Sequence, residues 1–70
     1  MTRAEKEIVN YIKARERDLR NGIVTIDEAA LLILKAIKEA DDFSYVRGES
    51  FDNLGMRHKA FVMLAKATKQ

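Results

Sequence analysis

The chain has 70 residues, a formal net charge of +2 and no cysteine, which allows one domain at most and excludes disulfides and thiolate metal sites. Hydrophobic residues make up 47% and charged residues 34%, a mixture too apolar for a disordered chain and too charged for a membrane span. The longest purely apolar run, Ala29 to Leu34, is too short to cross a bilayer, and no signal-peptide pattern follows the first basic residues. We therefore expect a cytoplasmic protein with no membrane partner.

The first predicted helix covers residues 3–20. Thr2 and Glu5 have the spacing of a capping box, in which each side chain binds a backbone amide of the first turn. Asn21 and Gly22 tolerate the left-handed backbone conformation that ends many helices. A step of about 100° per residue gathers the apolar side chains on one face, which consists of Ala4, Ile8, Tyr11, Ile12 and Leu19.

The second predicted helix covers residues 26–41 and starts at another capping-box pair, Thr25 and Glu28. Its apolar residues span an arc of roughly 200°, which predicts contacts on two sides and a central position. These residues are Ile26, Ala29, Ala30, Leu32, Ile33, Leu34, Ala36, Ile37 and Ala40. Leu31 falls on the polar side, which makes it a candidate for contact with a partner.

Residues 42–49 are predicted to form a loop. Phe43, Tyr45 and Val46 favour β-structure, but the segment is too short and isolated for a sheet. We expect these three side chains and Phe51 to fold over the end of the core, and the alternative is an exposed aromatic contact site.

The third predicted helix covers residues 51–68, with Ser50 at its start and Asp52 in its first turn. The pattern as a whole predicts an all-α fold, a small three-helix bundle that forms a single helical domain over residues 1–70.

Apolar residues lie on two opposite sides of this third helix. The side predicted to face the core contains Phe51, Leu54, His58, Phe61, Val62 and Ala65. The side predicted to face outwards carries a stripe at positions i, i+4, i+7 and i+11, which consists of Met56, Ala60, Met63 and Ala67.

Two polar residues project onto predicted apolar faces. For Arg15 we expect an aliphatic stem packed at the rim of the bundle, with the guanidinium reaching water or a carboxylate. For His58 we expect partial burial and a hydrogen bond to a neighbour such as Tyr11 or Asp18. The alternatives, which make both residues candidates for a polar site, are that Arg15 lies at the mouth of a groove and contacts an anionic partner, and that His58 acts as a pH switch or a ligand contact.

No constellation of residues indicates catalysis. A single histidine without cysteine is too little for a zinc site, no glycine-rich phosphate loop is present, and nothing supplies the surroundings that a nucleophilic serine requires. We therefore expect no enzyme, no cofactor and no small-molecule substrate.

The leading hypothesis is a non-enzymatic protein–protein interaction module, such as a small regulator, inhibitor or adaptor. Its partner is another protein or a second copy of the chain, which would form a homodimer through the outer face of the third helix. Alanines allow a partner helix to approach closely and methionines adapt to irregular surfaces. The predicted partner-binding residues are Met56, Ala60, Met63, Ala67 and Leu31.

The alternative is a nucleic-acid-binding domain of helix-turn-helix type. Every charged residue from Asn53 onwards is basic, and these residues would contact phosphates or bases. They are Arg57, Lys59, Lys66 and Lys69. Two observations oppose it. The predicted connection between the second and third helices is longer than the turn of about 3–4 residues in that motif. In addition, Arg57 projects away from the three lysines.

Overall fold

The computed structural model describes residues 1–68, which form three α-helices and no strand. They are α1 (Arg3–Arg20), α2 (Ile26–Val46) and α3 (Asn53–Thr68). Each helix packs against the other two in a bundle of 40 × 17 × 16 Å. The all-α three-helix bundle expected from the sequence is confirmed.

The N-terminus of α1 lies beside the C-terminus of α2 and the start of α3. Ala4 and Ser44 line one pocket there, and the carboxylate of Glu5 accepts a hydrogen bond of 2.7 Å from the backbone amide of Asp52. Helices α1 and α3 therefore run in the same direction, and α2 runs in the opposite direction.

The first two helices begin where the capping boxes predict. In α1 the amide of Glu5 donates to the Thr2 hydroxyl, and the amide of Thr2 donates to the Glu5 carboxylate. Thr25 and Glu28 make the same reciprocal pair at the start of α2. These bonds satisfy amides that have no partner inside the helix, which is why so short a signal is sufficient.

Both C-termini end in a Schellman motif with a left-handed glycine. Gly22 closes α1 with φ +72°, as its position after Asn21 suggests, and Gly48 closes α2 with φ +71°. The predicted end of α2 at residue 41 is wrong, because the chain stays helical up to the first residue that adopts the left-handed conformation easily. The β-formers Phe43, Tyr45 and Val46 are therefore part of α2 and do not belong to a loop.

Helix α3 starts at Asn53, two residues later than predicted. Asp52 precedes the helix, and its carboxylate accepts a hydrogen bond of 3.0 Å from the amide of Gly55. Asp52 therefore has the capping role that the sequence suggested for Ser50, which is exposed.

Glu5 joins two helix starts. Its buried carboxylate accepts from the amide of Thr2 and from the amide of Asp52, at 2.7 Å in each case. These two backbone donors hold the pKa of Glu5 below its ordinary value. One side chain thus fixes the start of α1 and the position at which the chain enters α3.

The core runs along the bundle axis and is formed by all three helices. Its buried members are Ile8, Ile12, Ile33, Ile37, Met56, Ala60 and Met63. Ile33 and Ile37 are almost completely enclosed. Helix α2 contacts both other helices, as its wide apolar arc predicts, but α1 and α3 also contact each other, so none of the three described helices is central.

The apolar residues near the connection between α2 and α3 separate into two groups. Phe51 packs against the core, whereas Phe43, Tyr45 and Val46 are exposed. The expectation that this whole group folds over the end of the core holds for Phe51 and is wrong for the other three.

Candidate functional site

The methionine–alanine stripe of α3 lies inside the bundle. Met56, Ala60 and Met63 are only 2%, 1% and 7% exposed, and Ala67 is half-buried. The prediction that these residues form an outer partner-binding surface is therefore wrong for Met56, Ala60 and Met63, because they pack in the core shared with α1 and α2. A contact between the half-buried Ala67 and a partner remains a prediction.

Polarity and size explain why this side of α3 turns inwards. The stripe contains no polar side-chain group, and Ala60 lets the neighbouring backbones approach closely. The opposite side carries His58 at its centre, and burying an imidazole without partners is unfavourable. His58 is exposed, so its predicted partial burial is also wrong.

The opposite side of α3 is directed to solvent, and we call it the exposed face of α3. Its members are Leu54, His58, Phe61, Val62 and Ala65. Leu54 is 76% exposed, Phe61 51% and Val62 40%. The sequence assigned these residues to the core, and that assignment is wrong. A contiguous exposed apolar surface on a small domain is a common mark of an interaction site.

Leu31 is exposed on α2, as its place on the polar side predicts. Leu34, one turn further along α2, lines a shallow groove between α2 and α3 together with Arg57. A contact between Leu31 and a partner remains a prediction.

An open groove of about 470 Å³ runs between α1 and α3, along one edge of the exposed face of α3. We call it the α1–α3 groove. Its α1 wall consists of Val9, Ile12, Lys13 and Glu16. Its α3 wall consists of His58, Lys59, Val62, Met63 and Lys66. The residues of each wall recur every three or four positions, so each helix presents a regular row of side chains to the groove.

The rim of this groove carries a surplus of positive charge. Within residues 1–68, the ion pairs include none of its lysines, Lys13, Lys59 and Lys66. Its one carboxylate, Glu16, binds Arg20 at 3.2 Å. Apolar side chains from both helices line the groove between the charged groups. The α1–α3 groove is therefore amphipathic, with basic side chains available to an anionic partner.

A second pocket, of about 300 Å³, lies at the opposite end of α1 but has balanced charge. Its arginines are occupied, since Arg3 pairs with Glu7 and Arg47 pairs with Glu49. The hydroxyl of Ser44 faces this region and has no hydrogen-bond partner among the described residues. One unsatisfied hydroxyl among paired charges does not distinguish any class of ligand.

The basic residues predicted to bind nucleic acid lie on two edges of α3. Lys59 and Lys66 line the α1–α3 groove, whereas Arg57 lines the groove between α2 and α3. Lys69 lies outside the described residues. The side of α3 between these edges is apolar, which is poorly suited to phosphates and base edges.

Arg15 is held by its own helix. Its guanidinium binds the carboxylate of Asp18 at 3.0 Å and lies 4.5 Å from the ring centre of Tyr11. Both residues of the ion pair are about one-quarter exposed. This is the geometry of a packed stem with a paired head, as expected for Arg15. A functional role of Arg15 or His58 as a polar site remains a prediction.

Comparisons of the chain with protein-family models, with curated proteins and with solved structures found no match. No described helix combines the length and hydropathy needed to cross a membrane. Residues 1–68 also contain no group of three histidine or carboxylate side chains placed to hold a metal ion.

Sequence patterns did not indicate the α1–α3 groove. Ile12 was expected in the core, Val62 was expected inside, and Lys13 and Val9 carried no signal. A groove between two helices is defined by their relative rotation, which periodicity within one helix does not contain. The sequence signals that fell on this groove were the exclusively basic charge of α3, His58 as a possible ligand contact and Met63 as a predicted partner-binding residue.

Proposed function

We propose that this chain is a non-enzymatic protein–protein interaction module, a small regulator or adaptor, that binds a partner protein through the exposed face of α3. The observation that carries the proposal is the exposure of Leu54, Phe61 and Val62 on one side of a helix whose other side already fills the core. Burying large apolar side chains is favourable by about 1.5–3 kcal/mol each, so a partner that covers this face has a ready source of affinity.

The surface differs from the one that the sequence suggested, but it belongs to the same helix. Apolar residues at positions 54, 61, 62 and 65 repeat at helical spacing around His58, which suits a partner that presents a helix or a groove. A nucleic-acid partner is less well supported, because the basic residues lie at the edges of an apolar surface.

The test compares two charge substitutions of the exposed face with one elsewhere. The double variant Leu54→Glu/Phe61→Glu should stay folded, because both side chains are largely in solvent, and should lose its partner. Tyr45→Glu is the control, since it also places a carboxylate on an exposed aromatic position, at the end of α2. Proteins bound from an extract of the source organism are identified by mass spectrometry with wild-type protein and both variants.

A protein bound by wild-type and Tyr45→Glu chains, but not by the double variant, would support the proposal. Light scattering on the purified chain tests whether the partner is a second copy. If the wild-type chain is a homodimer, the double variant should be a monomer. Partners that bind the double variant equally well would refute it. A salt-dependent mobility shift with mixed-sequence DNA or RNA would support the nucleic-acid alternative instead.

A further inference from the structure

We infer that the α1–α3 groove binds an acidic amphipathic helix of a partner protein, which would occupy the place of a fourth helix in the bundle. The inference rests on the proposed function and specifies the chemistry of the partner. It follows from the shape of the groove, from its apolar lining and from the sign of its charge.

The shape of the groove suits a helix. Its walls are two helices that run in the same direction, and the lining residues span about two turns of each, from Val9 to Glu16 and from His58 to Lys66. A helix that lies between two others on the surface of a bundle completes a four-helix arrangement. Its apolar side chains at i, i+3, i+4 and i+7 would contact Val9, Ile12 and Val62.

The charge of the groove selects an acidic helix. Lys59 and Lys66 are seven residues apart, which places them about 10 Å apart along α3, and Lys13 faces them from α1. Carboxylates of the incoming helix seven residues apart have the same separation, so two of them can reach both lysines of α3. Glu16 offers little opposition, because Arg20 already pairs with it.

Other anionic partners fit less well. A phosphate backbone would pair with the lysines but would leave the apolar lining of the groove, Val9 and Val62, without an apolar partner. An acidic amphipathic helix matches both the basic rim and the apolar lining. A second copy of the chain offers no such helix through α3, because the charged residues of α3 are all basic and would repel the lysines of the groove.

The test uses a display library of helical peptides about 16 residues long, since shorter isolated helices are marginal in water. Apolar residues stand at i, i+3, i+4 and i+7, and the remaining positions vary among Glu, Lys, Gln and Ala. We expect selection against the full chain to enrich Glu at positions seven residues apart. The affinity of selected peptides is then measured by fluorescence anisotropy, with scrambled sequences of the same composition as the reference.

Two double variants with equal change in net charge locate the binding. Lys59→Glu/Lys66→Glu should weaken peptide affinity about tenfold or more, because two attractive pairs become repulsive. Lys35→Glu/Arg57→Glu alters exposed positions that do not line the groove and should change affinity less than about threefold. Circular dichroism verifies that both variants are folded. The neutral double variant Lys59→Gln/Lys66→Gln should lose an intermediate amount of peptide affinity.

Each outcome bears on the inference. Enrichment of neutral or basic peptides, the absence of any binding above that of the scrambled sequences, or equal affinities of the two charge-reversed variants would overturn it. Equally tight binding of single-stranded DNA or anionic lipid vesicles, lost with the same lysines, would also overturn it. The proposed function fails separately, when Leu54→Glu/Phe61→Glu retains every partner of the wild-type chain.

Discussion

Side chains on opposite sides of α3 should respond very differently to the same substitution. Met63 is enclosed by α1 and α2, whereas Phe61, two positions before it, is half in solvent. A carboxylate at the first position would lose most of its contact with water and would replace a side chain of the core, whereas at the second position it stays hydrated.

We therefore expect Met63→Glu to lower the free energy of unfolding by about 2 kcal/mol or more, because packing in the core is lost and the carboxylate is partly desolvated. Phe61→Glu should lower it by less than about 1 kcal/mol, as for a surface substitution. Urea denaturation followed by circular dichroism measures both. If Phe61→Glu were the more damaging of the two, the orientation of α3 described above would be wrong.

This pair also shows what could be read from the sequence of α3. Both apolar sides were recognised from their spacing, and the existence of the helix followed from them. Which of the two sides faces the core was predicted wrongly, because the helical spacing of Leu54 and Phe61 is as regular as that of Met56 and Met63. The polar group of His58 was the sign that its side would remain in solvent.

At the scale of a single helix, the residues at its ends were the part of the sequence that predicted its boundaries most directly. Capping boxes bind groups only three residues apart, so Thr2 with Glu5 and Thr25 with Glu28 predict the starts of α1 and α2 without knowledge of the fold. The additional bond from Asp52 to Glu5 spans 47 positions and could not be anticipated in this way.

The carboxylate of Glu5 should make stability depend on pH in the acid range. Its pKa is lowered in the folded chain from an ordinary value of 4.5, by the amides of Thr2 and Asp52. The folded state therefore binds this proton less readily, so the stabilisation is present above pH 4.5 and is lost as pH falls through the lowered pKa.

Replacing Glu5 with Gln removes the charge and keeps the size of the side chain. We expect a lower thermal midpoint at neutral pH, and a difference from wild-type protein that shrinks as the solution is acidified below pH 4.5. Glu7→Gln is the matched control on an exposed position of the same helix and should change the midpoint little. A difference for Glu5→Gln that stays constant with pH would contradict the role given to the charge.

The bundle as a whole should unfold as one unit, because each helix packs against both others and no pair has a core of its own. Ile33 is completely buried at the centre of α2. A domain of this length has a free energy of unfolding on the order of 5 kcal/mol, so the loss of one central side chain is a large fraction of the total.

We expect Ile33→Ala to lower the free energy of unfolding by about 3 kcal/mol, from lost burial and the cavity left behind. All three helices should lose protection together in amide hydrogen exchange, and the circular dichroism transition should coincide with the exchange transition. Protection that persists in two helices while the third exchanges freely would show that the core is divided.

Short-range patterns were enough to establish the number of helices, the starts of α1 and α2 and the all-α class, since caps and helical periodicity act between residues a few positions apart. They were not enough for the rotation of α3, which turns Met56, Ala60 and Met63 inwards and leaves Leu54, Phe61 and Val62 in solvent. That rotation depends on which packing against α1 and α2 buries the least polar surface, a comparison that involves all three helices at once. The α1–α3 groove exists only as its consequence.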